Sequence, residues 1–171
     1  YKKLVGPDHH STGLAMINLA SIYKAKGNYE EAEVLYKKTL DIHKKLWGLK
    51  HSSTVSLLNN LSDLYVIQKR NDEAEKMYRK ALEIGEEVLE PNHPDISLIL
   101  QGIAGILVEK GKFEDAELLF LKALKISREK LKDDHPRTRS ILKGIITMYQ
   151  KNENSVDENR YKSILAEIES R

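Results

Sequence analysis

The sequence predicts an all-α protein, a right-handed α-solenoid of stacked helix–turn–helix repeats. Three observations predict it. A set of residues recurs at a fixed period, the apolar spacing between the recurring breaks is helical, and strand-like alternation is absent throughout. The period shows first in histidine: His9, His51, His93 and His135 stand 42 residues apart. The same shift carries Leu19, Leu61, Ile103 and Ile145, then Tyr23, Tyr65, Leu107 and Tyr149, then Ile42, Ile84, Ile126 and Ile168. Ala32-Glu33, Ala74-Glu75 and Ala116-Glu117 form a further column, followed by Tyr36, Tyr78 and Phe120.

Joints between repeats are marked by proline. All four prolines, Pro7, Pro91, Pro94 and Pro136, fall within two residues of a periodic histidine, and proline is tolerated in a connection or a first turn but not in a helix interior. The repeats therefore divide as 9–50, 51–92, 93–134 and a degenerate 135–171, with 1–8 as the end of a preceding repeat helix. A second break lies inside each repeat at Gly27-Asn28, Arg70-Asn71 and Gly111-Lys112, where Gly and Asn suit the left-handed geometry that ends a helix. In the first helix, Met16, Leu19, Ala20 and Tyr23 share one face; in the second helix of the next repeat, Ala74, Tyr78, Ala81 and Leu82 do. Glu33 with Lys37 and Glu75 with Arg79 add i, i+4 pairs. The small columns Ala20/Ser62/Ala104 and Ala32/Ala74/Ala116 are where the two helices of a hairpin approach closely, and one hairpin cannot bury its own apolar face, so neighbours must stack.

Composition removes several classes of function. With 28 Lys+Arg against 26 Asp+Glu, the net charge of +2 lacks the basic excess of a nucleic-acid binder. Zero cysteines exclude a disulfide framework and any thiolate metal site. No apolar run approaches the roughly 18 residues of a membrane span, and the chain lacks a charged-then-apolar leader. A cytoplasmic location is expected, with no nucleic-acid or membrane partner.

The residues Met16-x2-Leu19-Ala20-x2-Tyr23 followed by Ala32-x3-Tyr36 resemble the tetratricopeptide repeat, whose pattern runs W-x2-L-G-x2-Y, then A-x3-F, over about 34 residues. Leu58…Leu61-Ser62…Tyr65 and Leu100…Ile103-Ala104…Leu107 repeat it. The longer period, with Gly6-Pro7-Asp8-His9, Pro91-Asn92-His93-Pro94, Asn59-Asn60-Leu61 and Tyr29-Glu30-Glu31-Ala32-Glu33, is similar to the subtype found in kinesin light chains. Tyr1 to Val5 align with His43 to Trp47, which suggests a segment of a longer array. In the last copy Glu158 replaces the alanine, Lys162 the aromatic and Ser155 the Tyr29/Phe113 position. A weakly packed capping helix over 157–170 is expected there, after the polar stretch Asn152 to Asn159.

The resemblance implies a concave groove lined by first helices, whose non-core positions meet a peptide. Carried over by pattern, these are Leu14, Ile17, Ser21, Lys24 and Ala25; Ser56, Asn59, Asp63, Val66 and Ile67; Leu98, Gln101, Gly105, Val108 and Glu109; and Ser140, Lys143, Thr147, Gln150 and Lys151. Some members clamp a terminal carboxylate with Lys and Asn, at places that Ile17 and Ser21 hold in the first repeat here. Asn59 and Gln101 are expected to face an extended peptide's backbone, since an amide supplies both donor and acceptor. The aliphatic positions either take its side chains or pack against neighbouring helices.

No reaction chemistry is legible. Equivalent histidines in stacked repeats lie at least a helix-packing distance of about 8–10 Å apart, whereas metal-bound nitrogens must converge to about 2 Å from one ion; a structural role in the opening turn of each repeat is expected. No phosphate loop, nucleophile elbow or zinc motif is present, and no cofactor or metal is expected. The expected function is a non-catalytic protein–protein interaction scaffold binding a peptide segment in its concave groove. The alternatives are self-association through Val66, Ile67, Leu98 and Val108, and a regulatory repeat domain of a larger enzyme.

Overall fold

The computed structural model describes residues 10–170, the side chains of 10–12 and 14 excepted. The expected opening joint with His9, and the helix end expected at 1–8, lie outside those residues. Eight helices and no strand are present among the described residues: α1 (His10–Ala25), α2 (Tyr29–Trp47), α3 (Ser52–Ile67), α4 (Asn71–Val88), α5 (Pro94–Glu109), α6 (Phe113–Leu131), α7 (Pro136–Lys151) and α8 (Ser155–Glu169). They divide into two units, residues 1–88 and 89–171.

The histidine column acts at the helix starts. Nδ1 of His51, His93 and His135 accepts the backbone N–H of Ser53 at 3.2 Å, Asp95 at 3.1 Å and Arg137 at 3.1 Å. Each imidazole thus satisfies one of the donors that a helix N-terminus leaves open, which requires an unprotonated Nδ1. Pro94 and Pro136 follow at the first helical position, where a missing N–H costs nothing.

The turn inside each repeat is equally regular. Asn28, Arg70, Lys112 and Asn154 each donate a backbone N–H to the carbonyl five residues back, at 2.9–3.0 Å. This is the six-to-one bond of a Schellman cap. The residue before each donor is left-handed: Gly27 (φ 83°), Lys69 (60°), Gly111 (70°) and Glu153 (54°). The two glycines match the breaks that the sequence marks; Lys69 and Glu153 hold the same backbone with a side chain, at the steric cost that glycine avoids.

In the first unit α1 pairs with α2 and α3 with α4, and α2 also packs on α3. Ala20, Ala32, Ser62 and Ala74 are fully buried, as the close-approach columns require, and Tyr36 and Tyr78 fill the space beside them. A polar latch joins α2 to α3. Glu33 accepts from Tyr65 Oη at 3.1 Å and from Arg70 Nη1 at 2.6 Å, and pairs with Lys37 Nζ at 2.6 Å. The Arg70 guanidinium also lies over the Tyr65 ring, 4.1 Å from its centroid. Burial pushes the Glu33 carboxyl up, but the bonds from Arg70, Lys37 and Tyr65 outweigh it and hold the pKa at about 2.

In the second unit α5 pairs with α6 and α7 with α8, while α6 packs on α7. The latch recurs in simpler form, with Tyr149 Oη donating to Glu117 at 2.6 Å. Phe120 closes against α7 so tightly that a Cβ on Gly144 would lie 2.7 Å from its ring. The last helix begins at Ser155, ahead of the start that its sequence suggests. Asn154 accepts the N–H of Asp157 at 3.3 Å, so polar residues that read as breakers form a cap and a first turn instead. Its aromatic contact comes from Tyr161, beside the substituted Lys162, and Tyr161 stacks on Tyr149 at 5.7 Å.

Candidate interaction surface

The first helices carry the positions expected to meet a ligand, and the two units present them differently. In the first unit the side chain of Leu14 lies outside the described residues, and Ile17, Ser21 and Lys24 on α1 are half-buried. Ser21 Oγ donates to the Ile17 carbonyl at 3.0 Å and shares a 3.1 Å bond with Tyr36 Oη. Two repeat positions correspond here: Asp63, at Ser21's place on α3, accepts from Tyr78 Oη. Burial pushes the Asp63 carboxyl above its ordinary value, while the Tyr78 bond and the charge of Lys24 pull it back. Burial raises the Tyr78 phenol, and the Asp63 charge and the bond to it add to that. One turn further on, Val66 and Ile67 are 39% and 47% exposed.

Asn59 departs from expectation. Its register places it on an accessible face, but the residue is only 6% exposed, and its Oδ1 is buried without a hydrogen-bond partner. The reason is that α3 packs against both α2 and α4. Leu57, Leu58, Leu61, Leu64 and Tyr65 are consequently all buried, and the apolar shell closes over more of the helix than one amphipathic stripe implies.

In the second unit Leu98 and Gln101 on α5 are half-buried and Lys143 on α7 is exposed. Val108, expected to offer an apolar contact, is only 6% exposed and belongs to the core. Gln101 Nε2 donates to Ser140 Oγ at 2.8 Å, and Lys151 bonds Glu109 at 2.6 Å, so α5 and α7 join each other through side chains expected to be free. Lys143 lies 3.6 Å from Glu169, and Gln150 donates to Glu158 at 3.0 Å. Gly105 leaves open space where a side chain would stand. A cavity of about 790 Å³ in this unit is lined by Arg128, Lys132, Asp133, Asp134, Arg139, Ile168 and Glu169. Its charges are of both signs, and Arg128 is already paired with Asp133 at 2.8 Å.

Among the described residues no cluster of His, Asp and Glu has a metal-binding arrangement, and no helix is long and apolar enough to cross a membrane. The histidine caps supply the bond behind the structural role expected in each opening turn, whereas the Tyr–Glu latches escape the sequence reading. The latches have a signal, since Glu33 to Tyr65 and Glu117 to Tyr149 share one separation of 32 residues.

Comparison with known proteins places this architecture. The model of the tetratricopeptide repeat family matches residues 1–45 and 53–129. No curated protein matches the chain. Among solved structures, a Podosopora anserina protein described as a kinesin light chain with nearly identical TPR-like repeats is 21% identical. It superposes with a TM-score of 0.75 over 98% of this chain and 80% of that one. BtubC (BKLC) from P. vanneervenii, also 21% identical, gives a TM-score of 0.82 over 92% of this chain and 62% of that one. At this identity the likeness concerns the fold, and it agrees with the α-solenoid of helix–turn–helix repeats read from the 42-residue period. The chain belongs to the tetratricopeptide repeat family.

Proposed function

We propose that this chain is a non-catalytic interaction scaffold that binds an extended peptide segment along the first-helix face of its first unit. Tetratricopeptide repeats are protein-interaction repeats, and the finer assignment rests on one observation. On α3 the exposed Val66 and Ile67 stand one turn from Asp63, and Ser21 and Lys24 occupy corresponding positions on α1. Apolar side chains beside polar groups are what an extended peptide needs for its side chains and backbone.

A second reading has its own support. Leu19, Ile22 and Val34 are exposed, and a cavity of about 400 Å³ lined by Leu19, Tyr23, Glu30, Glu31, Val34 and Leu35 lies beside them. An apolar patch of that kind also serves self-association.

The test uses the chain as bait, tiles the captured protein as overlapping short peptides, and titrates each. One peptide should bind, and Ile67→Asp should weaken it about tenfold with the thermal melt unchanged. Unchanged affinity in that variant overturns the reading. A concentration-dependent mass in light scattering, abolished by Ile22→Asp, would instead support self-association.

A further inference from the structure

We propose that the first unit's face selects a peptide carrying a lysine or arginine, which docks on the carboxylate of Asp63 with an apolar residue two positions away. This rests on the peptide-binding reading above and adds the partner's chemistry. Asp63 is half-buried, and its bond from Tyr78 engages Oδ1. Among the described residues no other hydrogen bond or ion pair reaches its carboxylate. Lys24 acts on it only through its field, without an ion pair. One turn back, the more than nine-tenths buried Asn59 holds an Oδ1 with no donor. That oxygen is enclosed and out of a ligand's reach, so Asp63 is the acceptor that this turn of α3 offers at the surface.

A carboxylate that accepts one bond and has a second oxygen to spare favours a ligand that brings N–H groups, and a lysine or arginine brings them with the complementary charge. A carboxylate on the ligand would meet repulsion from Asp63 instead. The spacing follows from geometry. Val66 and Ile67 lie three and four residues from Asp63, a separation of about 5–6 Å on a helix surface. Alternate side chains of an extended peptide, which share a face, are roughly 6.5 Å apart. A basic residue over Asp63 thus brings the residue two positions away over Val66 and Ile67, where an apolar side chain covers their 39% and 47% exposed surfaces.

The probe is a random peptide library displayed on phage and selected on the immobilised full chain. Selected sequences are then titrated as synthetic peptides against the wild-type chain, Asp63→Asn and Ile67→Asp. Asparagine keeps an acceptor for Tyr78, and a thermal melt checks that the fold persists. The expected sequences share a Lys or Arg two positions from an apolar residue. They should weaken about tenfold when arginine is replaced by uncharged citrulline, or when Asp63→Asn is the receptor. Lys24→Met, which removes the competing charge, should strengthen them. Peptides that lose affinity in Ile67→Asp but carry no basic residue, or an acidic one, overturn this inference and leave the peptide-binding reading standing. Peptides indifferent to both variants, or no selected peptide at all, overturn both.

Discussion

The two units share a register but use it for different ends. In the first, hydroxyls of Tyr36 and Tyr78 reach back to Ser21 and Asp63, while Val66 and Ile67 remain open. In the second, the corresponding ring is Phe120, its counterpart on the first helix is Gly105, and Gln101 and Glu109 are bonded to Ser140 and Lys151 of α7. On the second face polar side chains of the first helices bond one another; on the first they bond tyrosines of the second helices. A repeat period thus fixes where a side chain stands without fixing what it bonds, and the difference directs attention to the first unit for binding.

The sharpest way to break this comparison is at Phe120. Its ring leaves no room for a Cβ on Gly144, so Gly144→Ala should destabilise the chain by about 2–3 kcal/mol in urea unfolding, within the range for overpacked cores. Gly105→Ala on the same unit meets open space and should instead gain up to about 1 kcal/mol from helix propensity. Equal effects of the two would remove Phe120's distinctive role.

Next come the latches. Glu33→Gln should cost about 2 kcal/mol, because it removes a carboxylate that Arg70, Lys37 and Tyr65 all bond, although Arg70 keeps its two bonds to Glu73. Glu117→Gln, which alters the bond from Tyr149, should cost about 1 kcal/mol. The pH dependence follows from the depressed Glu33 pKa. Its stabilisation is fully present above the ordinary carboxylate value of 4.5 and is lost as pH falls through about 2. Acid titration of unfolding stability should therefore fall more steeply over that interval in the wild type than in Glu33→Gln. Parallel curves would place the depressed carboxylate elsewhere.

The smallest effects test the faces. Tyr78→Phe removes the donor to Asp63 and should cost about 1 kcal/mol. Gln101→Ala, at a more open bond, should cost about 0.5 kcal/mol and leave peptide affinity unchanged. A large loss of peptide affinity in Gln101→Ala would move the binding face to the second unit.

These contrasts mark what can be read from sequence. The hairpins are legible because the period multiplies a weak helical signal by four, and because the small columns identify which helices must touch. Left-handed turns at Lys69 and Glu153 follow from shifting Gly27 by one or three periods, although neither residue type advertises that conformation. The histidine column shows its position but not its chemistry, since histidine is outside the usual capping residues. Asn59 and Gln101 show the limit. Equivalent in register, one is enclosed because α3 packs on two helices, and the other is held by a serine 39 residues away. Both outcomes depend on tertiary neighbours that a local pattern does not contain.

Backbone amide shifts in a ¹⁵N-labelled chain, recorded while a library-selected peptide is titrated in, test the central claim most directly. The account predicts that the largest changes fall within residues 17–25 and 56–67, the first-helix positions of α1 and α3. Largest changes on α2 and α4, or within the second unit, would contradict it.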